Sequence, residues 1–179
     1  HGQTTDTLNP ATWENGFTIA MGFGIHGYLT EVAADGSLVP NIAESWEASA
    51  DAREWTFTLR PGVTFHDGKS VTAEDVVASI NHHRGEDTKS AGKPLLEAVT
   101  EIRKVDDRTV AFELGSGNAD FPYILSEYFF IIFPSKDGRC DWKSGVATGG
   151  YKLIEFEPGV RYVGERNPDY WKKDRAHFD

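Results

Sequence analysis

Three of the six histidines lie close together in one acidic stretch of the sequence, which makes this stretch the first candidate for chemistry. Residues 65–87 read FHDGKSVTAEDVVASINHHRGED and hold His66, His82 and His83 among five carboxylates. Imidazoles and carboxylates are common ligands of catalytic zinc and common general acids and bases. The stretch is therefore either a metal or catalytic centre, or the boundary between a strand and a helix.

The spacing of these residues favours the second interpretation. A helical zinc site usually has ligands four residues apart, whereas His82 and His83 are adjacent and neither has a His, Asp or Glu four residues earlier. His66 and Asp67 resemble the paired ligands of a metal phosphohydrolase, but they fall in HDG, where a strand ends at a turn sequence. A metal-dependent hydrolase using His66, Asp67, His82 and His83 is kept as the alternative hypothesis.

The elements around the histidines follow from local signals. Thr72 followed by Asp75 resembles a capping box, which marks the beginning of a helix. Apolar residues then recur at helical spacing, at Ala73, Val76, Val77 and Ile80. Gly85 is a typical helix stop, so a helix is predicted from residue 72 to about 83. Its last turn holds both histidines, where protonated imidazoles would complement the helix dipole.

The rest of the chain reads mainly as antiparallel hairpins separated by short helices, which predicts an α+β fold. Hairpins are predicted in YLTEVAADGSLVPN, SWEASADAREWTFTLRPGVTF, the second half of KPLLEAVTEIRKVDDRTVAFEL, and YKLIEFEPGVRYVGERN. In the second of these, Trp55, Phe57 and Leu59 should face the core. The first 25 residues read as irregular, residues 42–45 as a short helix, ADFPYILSEY as helical, and FFIIFPS as a buried strand.

Composition excludes several classes of function. The formal charge of −10 over 179 residues argues against nucleic acid or an anionic membrane as the main partner. Cys140 is the only cysteine, which rules out an intrachain disulfide and a cysteine-based zinc site. The longest apolar run, residues 128–133, is too short to span a bilayer. No phosphate-binding glycine motif or nucleophile elbow is present, so neither catalytic residues, cofactor nor metal is expected.

Longer motifs carry a specific resemblance. LVPNIAESWEASADAREWTFTLRPGVTFHDGKSVTAEDVVASINHHR is similar to the N-terminal region of family 5 extracellular solute-binding proteins, the dipeptide- and oligopeptide-binding components of ABC importers. TLNPAT upstream and TGGYKLIEFEPG with ERNPDYW downstream agree in order. The resemblance implies a periplasmic binding protein of the type II kind. It also implies a non-enzymatic monomer in the periplasm, or anchored outside the cell, that works with permease subunits.

The resemblance further implies a division of the chain. Residues 1–38 and 134–179 would belong to the ligand-binding first lobe, and residues 39–133 would form a smaller α+β domain with antiparallel hairpins. Family members are more than twice as long, so the chain is expected to be an N-terminal fragment without the second lobe. Membrane association would come only through the permease or a lipid anchor outside this chain.

The expected ligand is a peptide or a related small organic solute. The resemblance places the loop after LNP and the segment IHGYL at the mouth of the first lobe, which predicts ligand contacts from Trp13, Glu14, His26, Gly27 and Tyr28. Many peptide binders have Y-E-G-L where this chain has IHGYL, so His26 replaces a carboxylate. The alternative is that Trp13 and Tyr28 pack in the core of the lobe and that His26 only caps a turn. An adhesion or carbohydrate-binding β-sandwich would have to lack the helix predicted at 72–83.

Overall fold

The computed structural model describes residues 2–173 and 175–178. The helices in these residues are α1 (Gly16–Ile25), α2 (Ala73–Asn81) and α3 (Phe121–Ile124). The strands are β1 (Thr30–Val32), β2 (Leu38–Pro40), β3 (Ala43–Ala48), β4 (Glu54–Leu59), β5 (Val99–Asp106), β6 (Thr109–Leu114), β7 (Ser135–Lys136), β8 (Arg139–Cys140), β9 (Tyr151–Glu157) and β10 (Arg161–Arg166). Short 3-10 turns occupy Pro10–Thr12, Pro94–Leu96 and Trp142–Ser144.

A four-stranded antiparallel sheet in the order β3-β4-β6-β5 forms the centre of the fold. Trp55, Phe57 and Leu59 alternate along β4 and are all buried, which confirms the predicted inner face. Helix α2 packs on that face through Val76 and Ile80, which belong to the same apolar core as Phe57.

In the part of the chain that the structure describes, no helix is long and apolar enough to cross a membrane.

The predicted hairpins are confirmed. Strands β1 and β2, β3 and β4, β5 and β6, and β9 and β10 each pair in an antiparallel register. Gly36 at φ +84° and Gly159 at φ +75° take the left-handed backbone conformation in two of the turns. An L side chain rarely adopts this conformation, which explains the Asp-Gly and Pro-Gly turn sequences.

The predicted helix at 72–83 is also confirmed, and it is α2. The Asp75 carboxylate accepts hydrogen bonds from the backbone N–H of Thr72 at 2.8 Å and from its hydroxyl at 2.9 Å, so the helix begins as the capping box predicts. The helical segment ends at Asn81, and His82 is its C-cap residue.

The first 25 residues are not all irregular, because α1 spans Gly16–Ile25. Its sequence, GFTIAMGFGI, is apolar with three glycines and has no polar face, so it lacks the periodicity that marks a helix. The helix begins instead at a side-chain cap: the Asn15 side chain accepts from the N–H groups of Phe17 and Thr18 at 3.0 and 3.1 Å.

Two other local predictions are wrong. The helix expected at residues 42–45 falls largely within strand β3, because Trp46 lies opposite Phe57 in the register with β4 and pairing overrides local propensity. The buried strand expected in FFIIFPS is buried but irregular up to Pro134, and only Ser135–Lys136 form a short strand. Its backbone groups instead form hydrogen bonds with distant parts of the chain; for example, the N–H of Ile132 donates to the carbonyl of Gly27 at 3.0 Å.

A second apolar core holds α1 in place. Its buried members come from the N-terminal segment, from α1 and from three later segments: Trp13, Met21, Ile25, Tyr28, Ile131, Phe133 and Ala147. The Trp13 indole N–H donates to the carbonyl of Thr7 at 2.9 Å, and its ring packs against Gly22 of α1. The division into a lobe of 1–38 with 134–179 and a domain of 39–133 stays a prediction.

Replacing Gly22 with alanine is expected to destabilise the chain by about 1–3 kcal/mol. A Cβ there would lie 2.4 Å from the Trp13 ring, which is itself buried. Gly24 is the control in the same helix, since a Cβ there meets nothing within 4 Å, and alanine should stabilise by up to about 1 kcal/mol. Urea unfolding measures both changes. Equal effects would contradict the packing of Trp13 on Gly22.

Candidate functional site

A cavity of about 500 Å³ lies beside the C-terminal end of α1, within the range of small-molecule sites. Its lining includes the end of α1 with the segment that follows, strand β1, the beginning of β9 and residues after β10, with single residues from the segments after β2 and α3. The lining residues that matter below are His26, Tyr28, Glu31, Tyr170, Lys172 and Arg175. Glu31 and Lys172, which are 141 positions apart in sequence, thus meet at one concave surface.

His26 is a C-cap residue of α1 and is buried on one side of the cavity. Its backbone N–H donates to the Gly22 carbonyl at 3.0 Å, and its ring centroid lies 6.0 Å from that of Trp13 and 4.6 Å from that of Phe133. Only 4% of the residue is exposed. Burial, together with the nearby His66, lowers the pKa of His26 to about 3. The imidazole is therefore neutral at pH 7, and its Nδ1 has no hydrogen-bond partner among the described residues.

Tyr28 lines the same side of the cavity and is 6% exposed. Its ring lies 5.9 Å from that of Phe23. Burial and the nearby carboxylate of Glu31 raise the pKa of the phenol, so the hydroxyl is neutral. Within the described residues this hydroxyl also lacks a hydrogen-bond partner. His26 and Tyr28 both line the cavity, but each unpaired atom is itself enclosed by the protein.

A charge cluster occupies the more exposed side of the cavity. The Glu31 carboxylate accepts a hydrogen bond from the Asn41 amide at 3.1 Å and pairs with the Lys172 ammonium. The Arg175 guanidinium approaches the other oxygen of Glu31 at 3.8 Å. Burial is the main cause that raises the pKa of Tyr170 to about 12, and the Glu31 carboxylate adds to the rise. The positive charge of Arg175 opposes it. The cluster holds two cations and one anion.

The structure brings only two of the five predicted ligand contacts to this cavity. His26 and Tyr28 line it, whereas Trp13 is buried in the second core and Glu14 is exposed outside the cavity. Gly27 is buried, and a Cβ there would lie 2.6 Å from the hydroxyl of Thr148, so this glycine allows the close approach of another segment. Ligand contact by all five residues stays a prediction.

Sequence reasoning missed the charge cluster. Glu31 and Lys172 are 141 residues apart, and no local pattern relates them. Lys172 follows ERNPDYW, one of the pieces that carry the family resemblance, but the resemblance gave that piece no role in binding.

The four residues of the hydrolase hypothesis have separate partners. His66 Nε2 lies 2.9 Å from the Gly149 carbonyl, His82 Nε2 lies 2.8 Å from the Asn9 side-chain oxygen, and His83 Nδ1 lies 2.6 Å from the Ser90 hydroxyl. Asp67 accepts from the N–H of Lys69 in a turn at 3.0 Å. Across residues 2–173 and 175–178, no group of three or more His, Cys, Asp or Glu is placed to hold a metal ion. The structure gives the hydrolase no support.

The expected interaction of protonated histidines with the dipole of α2 is also wrong. Burial lowers the pKa of His82, and burial with the nearby His82 lowers that of His83 to about 3. Both imidazoles are neutral at pH 7, because each is packed into the protein.

Comparison with known proteins identifies the kind of molecule that carries this cavity. Residues 37–179 match the family model described as bacterial extracellular solute-binding proteins, family 5 middle. The chain is 32% identical over 190 residues to the peptidoglycan-binding protein YepA of Agrobacterium fabrum, covering 96% of this chain and 30% of YepA. It is 28% identical over 192 residues to the dipeptide-binding protein of Escherichia coli, covering 92% of this chain and 36% of that protein.

A solved structure extends the likeness to the fold. The PBP AgaA from A. tumefaciens R10, in complex with agropinic acid, has a TM-score of 0.85 at 27% identity and covers 96% of this chain and 35% of AgaA. The predicted fold, α+β and of the type II periplasmic binding protein kind, is confirmed. The chain spans about a third of the length of these relatives.

Proposed function

Because the chain belongs to the family 5 bacterial extracellular solute-binding proteins, we propose that it acts in the substrate-binding component of an ABC importer. It captures a peptide or a related small organic solute for import. The relatives are named for a dipeptide, for peptidoglycan and for binding agropinic acid. The proposed site of action is the periplasm or the outer face of the cell membrane, as a monomer that delivers the solute to permease subunits.

One observation of the structure carries the proposal. The cavity of about 500 Å³ lies at the segment that the resemblance places at the mouth of the ligand-binding lobe, and His26 and Tyr28 line it. His26 and Tyr28 are the ligand contacts with the strongest support. Trp13, Glu14 and Gly27 complete the proposed set through family resemblance.

The released solute tests this function. The complete encoded protein is purified without a chelating column, bound material is released by denaturation, and mass spectrometry and metal analysis follow. We expect a small organic solute that rebinds on calorimetry. The opposing result is stoichiometric zinc, manganese or iron that is lost on replacing His66 and His82, which would favour the hydrolase.

A further inference from the structure

We infer that Glu31 is a positioning residue for solute capture, because it holds the segment that follows β10 in place as one wall of the cavity. The cavity-lining residues of that segment form the outer wall: Tyr170, Lys172, Arg175 and Ala176. The role in capture rests on the proposed solute-binding function, whereas the hold on the outer wall can be measured without a solute.

The outer wall has no regular structure of its own to keep it in place. Residues 171–173 and 175–177 form neither helix nor strand. Within the described residues, every hydrogen bond and ion pair that joins these two ranges to another part of the chain ends on the Glu31 carboxylate. One oxygen pairs with the Lys172 ammonium, and the other lies 3.8 Å from the Arg175 guanidinium. Loss of this one acid therefore removes these polar anchors together.

The pair between Glu31 and Lys172 is partly shielded from water. Their side chains are 30% and 16% exposed, whereas both side chains of the pair between Glu54 and Arg103 are at least 40% exposed. Shielded charges attract each other more strongly than charges at the surface, and a shielded cation that loses its acid is unfavourable. Glu31 therefore holds Lys172 more firmly than a surface ion pair would.

A second route of contacts leads from the same carboxylate to Trp171. The Asn41 amide donates to Glu31 at 3.1 Å, and the Asn41 carbonyl accepts from Arg60 Nε at 3.3 Å. The Arg60 guanidinium lies 4.7 Å from the centroid of the Trp171 ring, which is a cation–π distance. The two routes meet at neighbouring residues of the segment, so release of Lys172 also loosens the Trp171 ring.

Chymotrypsin cleavage after Trp171 measures the hold on the outer wall. The protease binds an aromatic side chain in its own pocket, so the indole must first leave Arg60. In the complete encoded protein, Glu31→Gln should speed this cleavage by about fivefold or more, because the segment opens locally more often. Cleavage after Phe57, which is buried in the four-stranded sheet, should not change. Equal acceleration at both sites would mean general destabilisation and would overturn the inference.

The control for Glu31→Gln is Glu54→Gln. It removes a carboxylate that pairs with Arg103 at 2.8 Å outside the cavity, and it should leave cleavage after Trp171 unchanged. Each rate is divided by that of a free peptide with the sequence of residues 167–177, which corrects for the preference of the protease.

A double variant shows whether Glu31 acts through Lys172. Lys172→Gln alone should speed cleavage to a similar extent, and adding Glu31→Gln should change the rate by less than about twofold, since both remove one interaction. Lys173→Gln, an exposed neighbour outside the cavity, should have no effect. Effects that multiply would show that the two side chains act independently. If Glu31→Gln does not fold, equal rates for Lys172→Gln and Lys173→Gln would overturn the inference in the same way.

Retention of solute links the outer wall to capture. The organic solute that copurifies with the complete encoded protein, measured by mass spectrometry after denaturation, should fall about tenfold or more per mole of protein in Glu31→Gln and Lys172→Gln, because a displaced wall no longer helps to enclose it. Glu54→Gln and Lys173→Gln should retain it.

The two measurements together separate the outcomes. Faster cleavage with full retention of solute would show that capture does not need the outer wall, and lost solute with unchanged cleavage would make Glu31 a direct contact of the solute. Either result overturns the positioning role while solute binding stands. If no organic solute is recovered from the wild type, the proposed function fails and the role in capture with it, and the cleavage rates still decide whether Glu31 holds the outer wall.

Discussion

Lowering the pH from about 7.5 to about 5 is expected to reduce the free energy of unfolding by about 2 kcal/mol for each of His26 and His83. Both imidazoles are buried, and burial is the largest cause that lowers their pKa values to about 3. The unfolded chain titrates near 6.5, so between these values it binds protons that the folded chain excludes. The contribution of these two neutral histidines to stability is present above about pH 6.5 and is lost as the pH falls toward 3.

The surroundings of the two rings explain why they stay neutral. The His83 centroid lies 6.1 Å from that of Phe129, 5.2 Å from that of Phe130 and 5.5 Å from that of His82. The rings of Trp13 and Phe133 pack near His26, and the nearby imidazole of His66 lowers its pKa further. Burial lowers the pKa values of His66 and His82 too, so they change stability in the same direction.

Urea unfolding across this pH range, with matched variants, measures the effect. His83→Asn keeps a polar atom near Ser90 but does not titrate, so the loss between about pH 7.5 and 5 should shrink by about 2 kcal/mol. His177→Asn is the control, since His177 is exposed, and its profile should follow the wild type. Parallel profiles for His83→Asn and the wild type would show that His83 is not excluded from protonation.

The elements that were predictable from the sequence have local causes. Helix α2 is marked by Thr72 and Asp75, three residues apart, whose side chains and backbone bond to each other in the structure. The hairpin turns are marked by Gly36 and Gly159, which take a backbone conformation that few other residues adopt. Each signal lies within a few residues of the feature that it determines.

The elements that were missed have distant causes. The buried segment at 129–134 looked like a strand because it is apolar, yet its polar groups bond to remote parts of the chain. The N–H of Phe133 donates to the Ser79 hydroxyl of α2 at 2.9 Å, across 54 residues. Helix α1 is stabilised by packing on Trp13 rather than by a polar face. Such tertiary contacts leave no periodic pattern in the sequence.

The candidate site shows the same limit. His26 and Tyr28 were reached by resemblance, and the pattern of residues around them did not single them out. They lie at a cavity because Tyr170, Lys172 and Arg175 line it together with residues of β1. Which residues share a cavity depends on this packing, so the charge cluster needed the fold.

Replacing Asp75 with asparagine is expected to lower the free energy of unfolding by about 3 kcal/mol or more. The Asp75 carboxylate is 0% exposed and accepts from the Lys69 ammonium at 2.8 Å and from the N–H of Ser135 at 2.6 Å, in addition to Thr72. Burial raises its pKa, but these hydrogen bonds outweigh burial and hold the pKa below its usual range. The carboxylate is therefore ionised at neutral pH. In Asp75→Asn, the side-chain NH2 group would point its hydrogens at groups that are themselves hydrogen-bond donors.

Glu74→Gln is the matched control, because Glu74 lies in the same first turn of α2 and is exposed. It should cost less than about 1 kcal/mol, the size of an exposed interaction with the helix dipole. Urea unfolding at neutral pH compares the two variants. Similar small losses for both would mean that the bonds to Ser135 and Lys69 contribute little to stability.

A double variant shows whether Asp75 acts on the segment that follows residue 132. Asp75 binds the N–H of Ser135, and Ser79, one turn later on α2, binds the N–H of Phe133 at 2.9 Å. If both side chains hold the same segment, Asp75→Asn frees its Ser135 end and thereby already weakens the hydrogen bond between Ser79 and Phe133. Asp75→Asn with Ser79→Ala should then cost at least about 0.5 kcal/mol less than the sum of the single changes. Additive costs would show that the two side chains act independently and that α2 does not hold this segment as one unit.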